Sequence, residues 1–100
     1  MKKVIVDAHV DSMLGINLEK KSTNINHKNV SVRGLYEFDI EDIKNESLIK
    51  IAITKAIKKL KLTSSLFLTG EFFVKYNNRN IYHGYYTSCL KEKLDGEFIE

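Results

Sequence analysis

A chain of 100 residues with 43% hydrophobic and 29% charged residues is sized for one domain spanning residues 1–100, with a modest core, and is too apolar to be a disordered tract. Its one cysteine, Cys89, excludes an internal disulfide and a cysteine-built zinc cage. The apolar runs fall short of both a secretory leader and the ~20 residues of a membrane span, so a cytoplasmic protein without membrane association is expected. The net charge of +3 is unevenly spread: Lys44, Lys50, Lys55, Lys58, Lys59 and Lys61 face only Glu46 as an acid within residues 44–61, so the positive excess sits on one element.

Residues 3–12 alternate, with Val4, Val6, Ala8 and Val10 against Asp7, His9 and Asp11, the period-2 pattern of a half-buried strand. Residues 17–29 are polar and aperiodic and read as a long loop. Residues 30–40 alternate again, Val30, Val32, Tyr36, Phe38 and Ile40 opposing Ser31, Arg33, Glu37 and Asp39, with Gly34 on the apolar side as the natural place for a bulge. This strand is expected to pair with the first.

Asn45 is a helix N-cap and Glu46 suits the positive end of the helix dipole. Over residues 45–61, Ile49, Ala52, Ile53, Ala56, Ile57 and Leu60 form one apolar stripe with lysines opposite, while Leu48 and Ile51 fall among the lysines. Two further strands follow, residues 66–76 and 81–91, joined by the turn-forming Asn77-Asn78-Arg79-Asn80. Residues 92–100 form a tail. The expected fold is α+β, β-β-α-β-β, a four-stranded, mostly antiparallel sheet with one amphipathic helix on one face.

One helix covers one face of such a sheet, so the other is open to solvent or a partner. Asp7, His9, Asp11, Arg33, Glu37, Glu71, Phe73 and Lys75 belong to it, joined from the last strand by Tyr85 with His83, or else by Tyr82 with Tyr86.

Two stretches partly resemble known families. The run IVDAHVDSM resembles the His-x-Asp opening strand of amidohydrolase-type metallopeptidases, a likeness of about eight residues that implies His9 and Asp11 as metal ligands. Those enzymes are large barrels, which 100 residues cannot build. Gly70, Phe73, Val74 and Tyr76 match the sheet signature of RNA-recognition motifs. Thr69 stands where that signature has a basic residue, Glu71 where it stacks an aromatic and Phe72 where it has a small residue, so the stacking mechanism is lost.

No nucleophile–base pair or phosphate-cradling glycine loop occurs, and no cofactor is expected. The expected function is a small non-enzymatic protein-binding module of inhibitor or accessory type, using the open sheet face or a sheet edge and also forming a homodimer. Its lysine-over-arginine bias is that of an AT-rich coding sequence, as in many low-GC bacteria and their phages. Small accessory proteins of phage and mobile elements have this size and composition. An alternative is a nucleic-acid or nucleotide binder using Lys50, Lys55, Lys58, Lys59 and Lys61. Another is a small metal-dependent hydrolase or nuclease centred on Asp7, His9 and Asp11.

Overall fold

A computed structural model describes residues 1–14, 28–60, 65–88 and 92–99. In chain order the elements are β1 (Lys2–Leu14), β2 (Lys28–Ile40), α1 (Glu46–Lys59), β3 (Ser65–Tyr76), β4 (Arg79–Thr87) and β5 (Lys93–Phe98). The strands form one sheet in the order β2-β1-β3-β4-β5, with every neighbouring pair antiparallel. The α+β class is as expected, but the sheet has five strands rather than four. The predicted tail holds the fifth, whose apolar residues Leu94 and Phe98 alternate with charges too briefly to stand out in sequence.

The pairing of β1 with β2 is as predicted, unbroken from Lys2–Ile40 to Leu14–Lys28. No bulge occurs at Gly34. The register shifts lie instead between Met13 and Leu14 and between Val74 and Lys75. Most of the predicted 17–29 loop falls outside the described residues, and Lys28 and Asn29 already belong to β2. The predicted strand over 81–91 begins earlier, at Arg79, and its described part ends at Thr87. Asn77 and Asn78 both take positive φ, 50° and 61°. Asparagine tolerates that region best after glycine, and a two-residue turn of this hand matches the twist of the hairpin it joins.

Both β2 and β3 run antiparallel to β1, so they are parallel to one another, and α1 is the crossover between them. The Asn45 side chain caps the helix by accepting from the Ser47 and Leu48 amides, at 3.0 and 3.4 Å. Ile49, Ala52, Ile53 and Ala56 are buried as the periodicity requires, with Ile57 and Leu60 packed at the margin. The helix meets the sheet at three identifiable points. Glu46 Oε2 accepts from the Tyr82 hydroxyl on β4 at 3.0 Å, Ile53 lies against Gly84, and Lys59 sits 5.2 Å above the Phe38 ring on β2.

The register aligns Gly34, Ala8, Phe72, Gly84 and Gly96 in one row across all five strands on the helix side. Side chains from outside the row fill the space the small residues leave. The ring of Tyr36 lies over Gly34, that of Tyr82 over Gly96, and the Ile53 terminal methyl over Gly84. Aromatic cover over strand glycines restores the packing that a missing Cβ forfeits. Tyr82 also meets Phe98 edge-on, at 5.1 Å between centroids. With Val4, Val6, Val10, Val74 and Ile40 these residues complete the core.

A Cβ at Gly96 would stand 2.6 Å from the Tyr82 ring and 2.7 Å from the His83 carbonyl oxygen, whereas one at Gly84 would meet chiefly the flexible end of Ile53 at 2.9 Å. Gly96→Ala is therefore expected to lower stability by about 1–3 kcal/mol, and Gly84→Ala by less, in denaturant melts.

Burial, then the hydrogen bond to Glu46 and the charges of Glu46 and Asp95, raise the Tyr82 phenol above its ordinary pKa of 10.0. A pKa raised by folding means that the contribution is complete below pH 10 and is lost as pH climbs past it. The stability gap between the native chain and Tyr82→Phe, about 1 kcal/mol at pH 7, should therefore shrink between pH 10 and 12 in melts at matched salt.

Candidate functional site: the open face of the sheet

Alternation sends every second residue of each strand away from the helix, and the register then decides which of them meet. Two adjacent rows form the centre of the open face. One runs Leu35, Asp7, Phe73, His83, Glu97 and the other Arg33, His9, Glu71, Tyr85, Asp95. All nine residues predicted for this face lie on it.

At its middle the Phe73 and His83 rings stack, 4.3 Å apart and 7° from parallel, and His9 meets Phe73 edge-on at 6.3 Å. The Tyr85 hydroxyl lies 2.8 Å from His83 Nδ1. His83 Nε2 is buried without a hydrogen-bond partner among the described residues, since Glu71 Oε2 at 3.8 Å is too far for one. When Nδ1 accepts from Tyr85, Nε2 carries the proton and points a donor toward that carboxylate.

Around this aromatic centre the charges alternate. Asp7 lies between Lys75 Nζ at 3.5 Å and His9 Nε2 at 3.1 Å. Arg33 approaches the same His9 nitrogen at 3.3 Å. A single nitrogen cannot donate to Asp7 and accept from Arg33 at once, so these contacts are alternatives set by the tautomer. Asp11 accepts from the Ser31 hydroxyl at 2.6 Å. Glu37 is held apart from the cluster by Lys3, at 3.8 Å. His9, Asp11, Glu71 and Tyr85 line one shallow depression, and Asp7, Arg33, Leu35 and Lys75 another.

Asp7, His9 and Asp11 share a face as predicted, but Asp7 is turned to Lys75 and His9, and Asp11 to Ser31. Among the described residues no three His, Cys, Asp or Glu side chains converge to hold a metal ion. The register selects His83 with Tyr85 for this face and sends Tyr82 and Tyr86 to the core side. The alternation of residues 81–87 left both choices open, because aromatic residues occupy both faces. Leu35, 68% exposed, escaped the sequence reading altogether.

The lysines of α1 do not form a uniform free face. Lys50 lies 3.9 Å from Glu46, Lys59 turns in over Phe38, and Lys61 is outside the described residues. Leu48 and Ile51 line a groove with Met1, Phe38, Ile40 and Lys55 where the helix meets the end of β2. This accounts for apolar residues among the lysines. No helix among the described residues is long and apolar enough to cross a membrane. Comparison with protein-family models, with curated proteins and with solved structures finds no match.

Partly exposed ion pairs contribute little, so Lys75→Ala and Glu71→Ala should each change stability by less than about 1 kcal/mol. Phe73→Ala, which removes a half-buried ring from the stack, should cost roughly 1–3 kcal/mol. Thermal melts of the three variants would give this ranking.

Proposed function

We propose that this chain is a small non-enzymatic protein-binding module of inhibitor or accessory type that engages its partner through the open sheet face. The observation that carries this reading is the Phe73–His83 stack, closed by Tyr85 and framed by Asp7, Glu71, Arg33 and Lys75. A rigid aromatic centre inside a charged rim is the composition of a protein contact surface, where the rings give affinity and the rim sets orientation. Rigid strands hold it, so little order need be gained on binding. The carboxylates of this face pair with lysine, histidine and serine, which supports a recognition role over hydrolysis.

The test is affinity capture from the native host with the wild-type chain, Tyr85→Ala/Glu71→Lys and Lys58→Glu as baits. A protein retained by the wild type and by Lys58→Glu, but lost with the open-face variant, is the expected result. Retention by all three, or loss only with Lys58→Glu, would move the contact to another surface and overturn the reading.

A further inference from the structure

Strand β2 is an edge of the sheet, and among the described residues nothing pairs with its outer side. Exposed edges are ordinarily guarded by shortness, proline, bulges or charges turned inward. β2 has thirteen residues, no proline and no register shift against β1. Its helix-side residues Val32, Tyr36 and Phe38 are all apolar and only half-buried. The other edge, β5, has six residues, of which Lys93, Asp95 and Glu97 are charged. The guarding devices are thus concentrated on β5.

We infer that β2 is the interface for a second copy of this chain, pairing antiparallel with β2 of that copy about a two-fold axis at Leu35. The argument is self-complementarity. With Leu35 opposite its counterpart, Arg33 of each copy faces Glu37 of the other, and Ser31 faces Asp39. On the helix side Val32 faces Phe38 and Gly34 faces Tyr36. The most exposed large apolar side chain among the described residues of the strand, Leu35 at 68%, lies at the centre, and each charge beside it meets the opposite sign. Directly opposed cross-strand pairs are where such complementarity acts.

Neighbouring registers lose this match. A shift of one residue sets open-face charges against helix-side apolar residues. A shift of two sets Leu35 against Glu37, with Arg33 facing Asp39, or Leu35 against Arg33, with Glu37 facing Ser31, so neither pairs both Arg33 and Glu37 with the opposite sign. In the favoured register the two sheets join into one of ten strands, with both helices on the same side and the two open faces continuous. Ladder hydrogen bonds along Ser31–Asp39, roughly ten in all, match the number found in a typical specific interface. This pairing does not depend on what the open face binds.

The experiment is light scattering after size exclusion across a concentration series of the full chain, with charge swaps and cysteine cross-linking. Arg33→Glu places Glu against Glu37 twice per dimer and should raise the dimer dissociation constant by about tenfold or more. Arg33→Glu/Glu37→Arg should restore it to within a few-fold. In a Cys89→Ser background, Leu35→Cys should form a disulfide-linked dimer on mild oxidation, because opposed strand residues lie within disulfide reach. Asp39→Cys, eight residues from its own counterpart, should not. Arg33, Leu35 and Asp39 are exposed, and circular dichroism would verify that each variant retains the fold. A wild-type chain that stays monomeric to about millimolar concentration would overturn the inference. So would a dimer indifferent to both charge variants, or one cross-linked through Asp39→Cys and not through Leu35→Cys.

Discussion

The packing of one helix against a five-stranded sheet depends on a single row of small residues. Gly34, Ala8, Gly84 and Gly96 share that row with Phe72 alone as a bulky member. Here the adjoining rings and Ile53 descend into the row and fill the space over its glycines. Tyr82 is central to this arrangement. Its ring covers Gly96 and packs on Phe98, and its hydroxyl holds Glu46 at the first turn of α1. One buried side chain thereby joins the helix to the two strands farthest from β2.

Because α1 covers one face, the sheet has two unlike faces among the described residues. The helix side carries the valines, isoleucines and buried rings of the core. Among the described residues no second layer covers the other side, and its polar surface is held by stacking and ion pairs. His83 belongs to both problems: its ring completes the Phe73 stack, while one of its nitrogens is buried without a partner. A buried donor or acceptor left unpaired costs more than a typical hydrogen bond returns. Such a nitrogen is tolerated where a nearby charge, here Glu71, partly offsets its desolvation.

The same architecture explains the unequal edges. β5 is short and charged, whereas β2 is long, regular and apolar on its helix side. The groove bounded by Leu48, Ile51 and Phe38 lies where α1 meets the end of β2. Met1, Leu35 and Ile51 are exposed at this side of the sheet, beside the strand whose charge order is self-complementary, while Tyr85, Phe98 and Ile99 are exposed toward the other. The open face and the β2 edge meet at Arg33 and Leu35, so an assembly through the edge would also extend the face.

Period-2 alternation in residues 3–12 and 30–40 and the 3.6-residue stripe of residues 45–61 determined, from sequence alone, two strands, the helix and the side each residue faces. Those periodicities follow from backbone geometry and need no partner. Asp7, His9, Asp11, Arg33 and Glu37 were legible on the open face for this reason, and Glu71, Phe73 and Lys75 from the like alternation of residues 66–76. Tyr85 was one of two choices that only the register decided. Each of Gly34, Gly70, Gly84 and Gly96 is followed two residues later by an aromatic, but that ring is the nearest cover only at Gly34 and Gly70. Tertiary structure alone decided which side chain fills the other gaps, since Gly96 is covered by Tyr82 of the neighbouring strand and Gly84 by Ile53 of the helix. It decided too that β5 exists, that β1 lies between β2 and β3, and that His83 rather than Tyr82 joins Phe73. Strand pairing and register depend on contacts between residues far apart in the chain, and no local pattern encodes them.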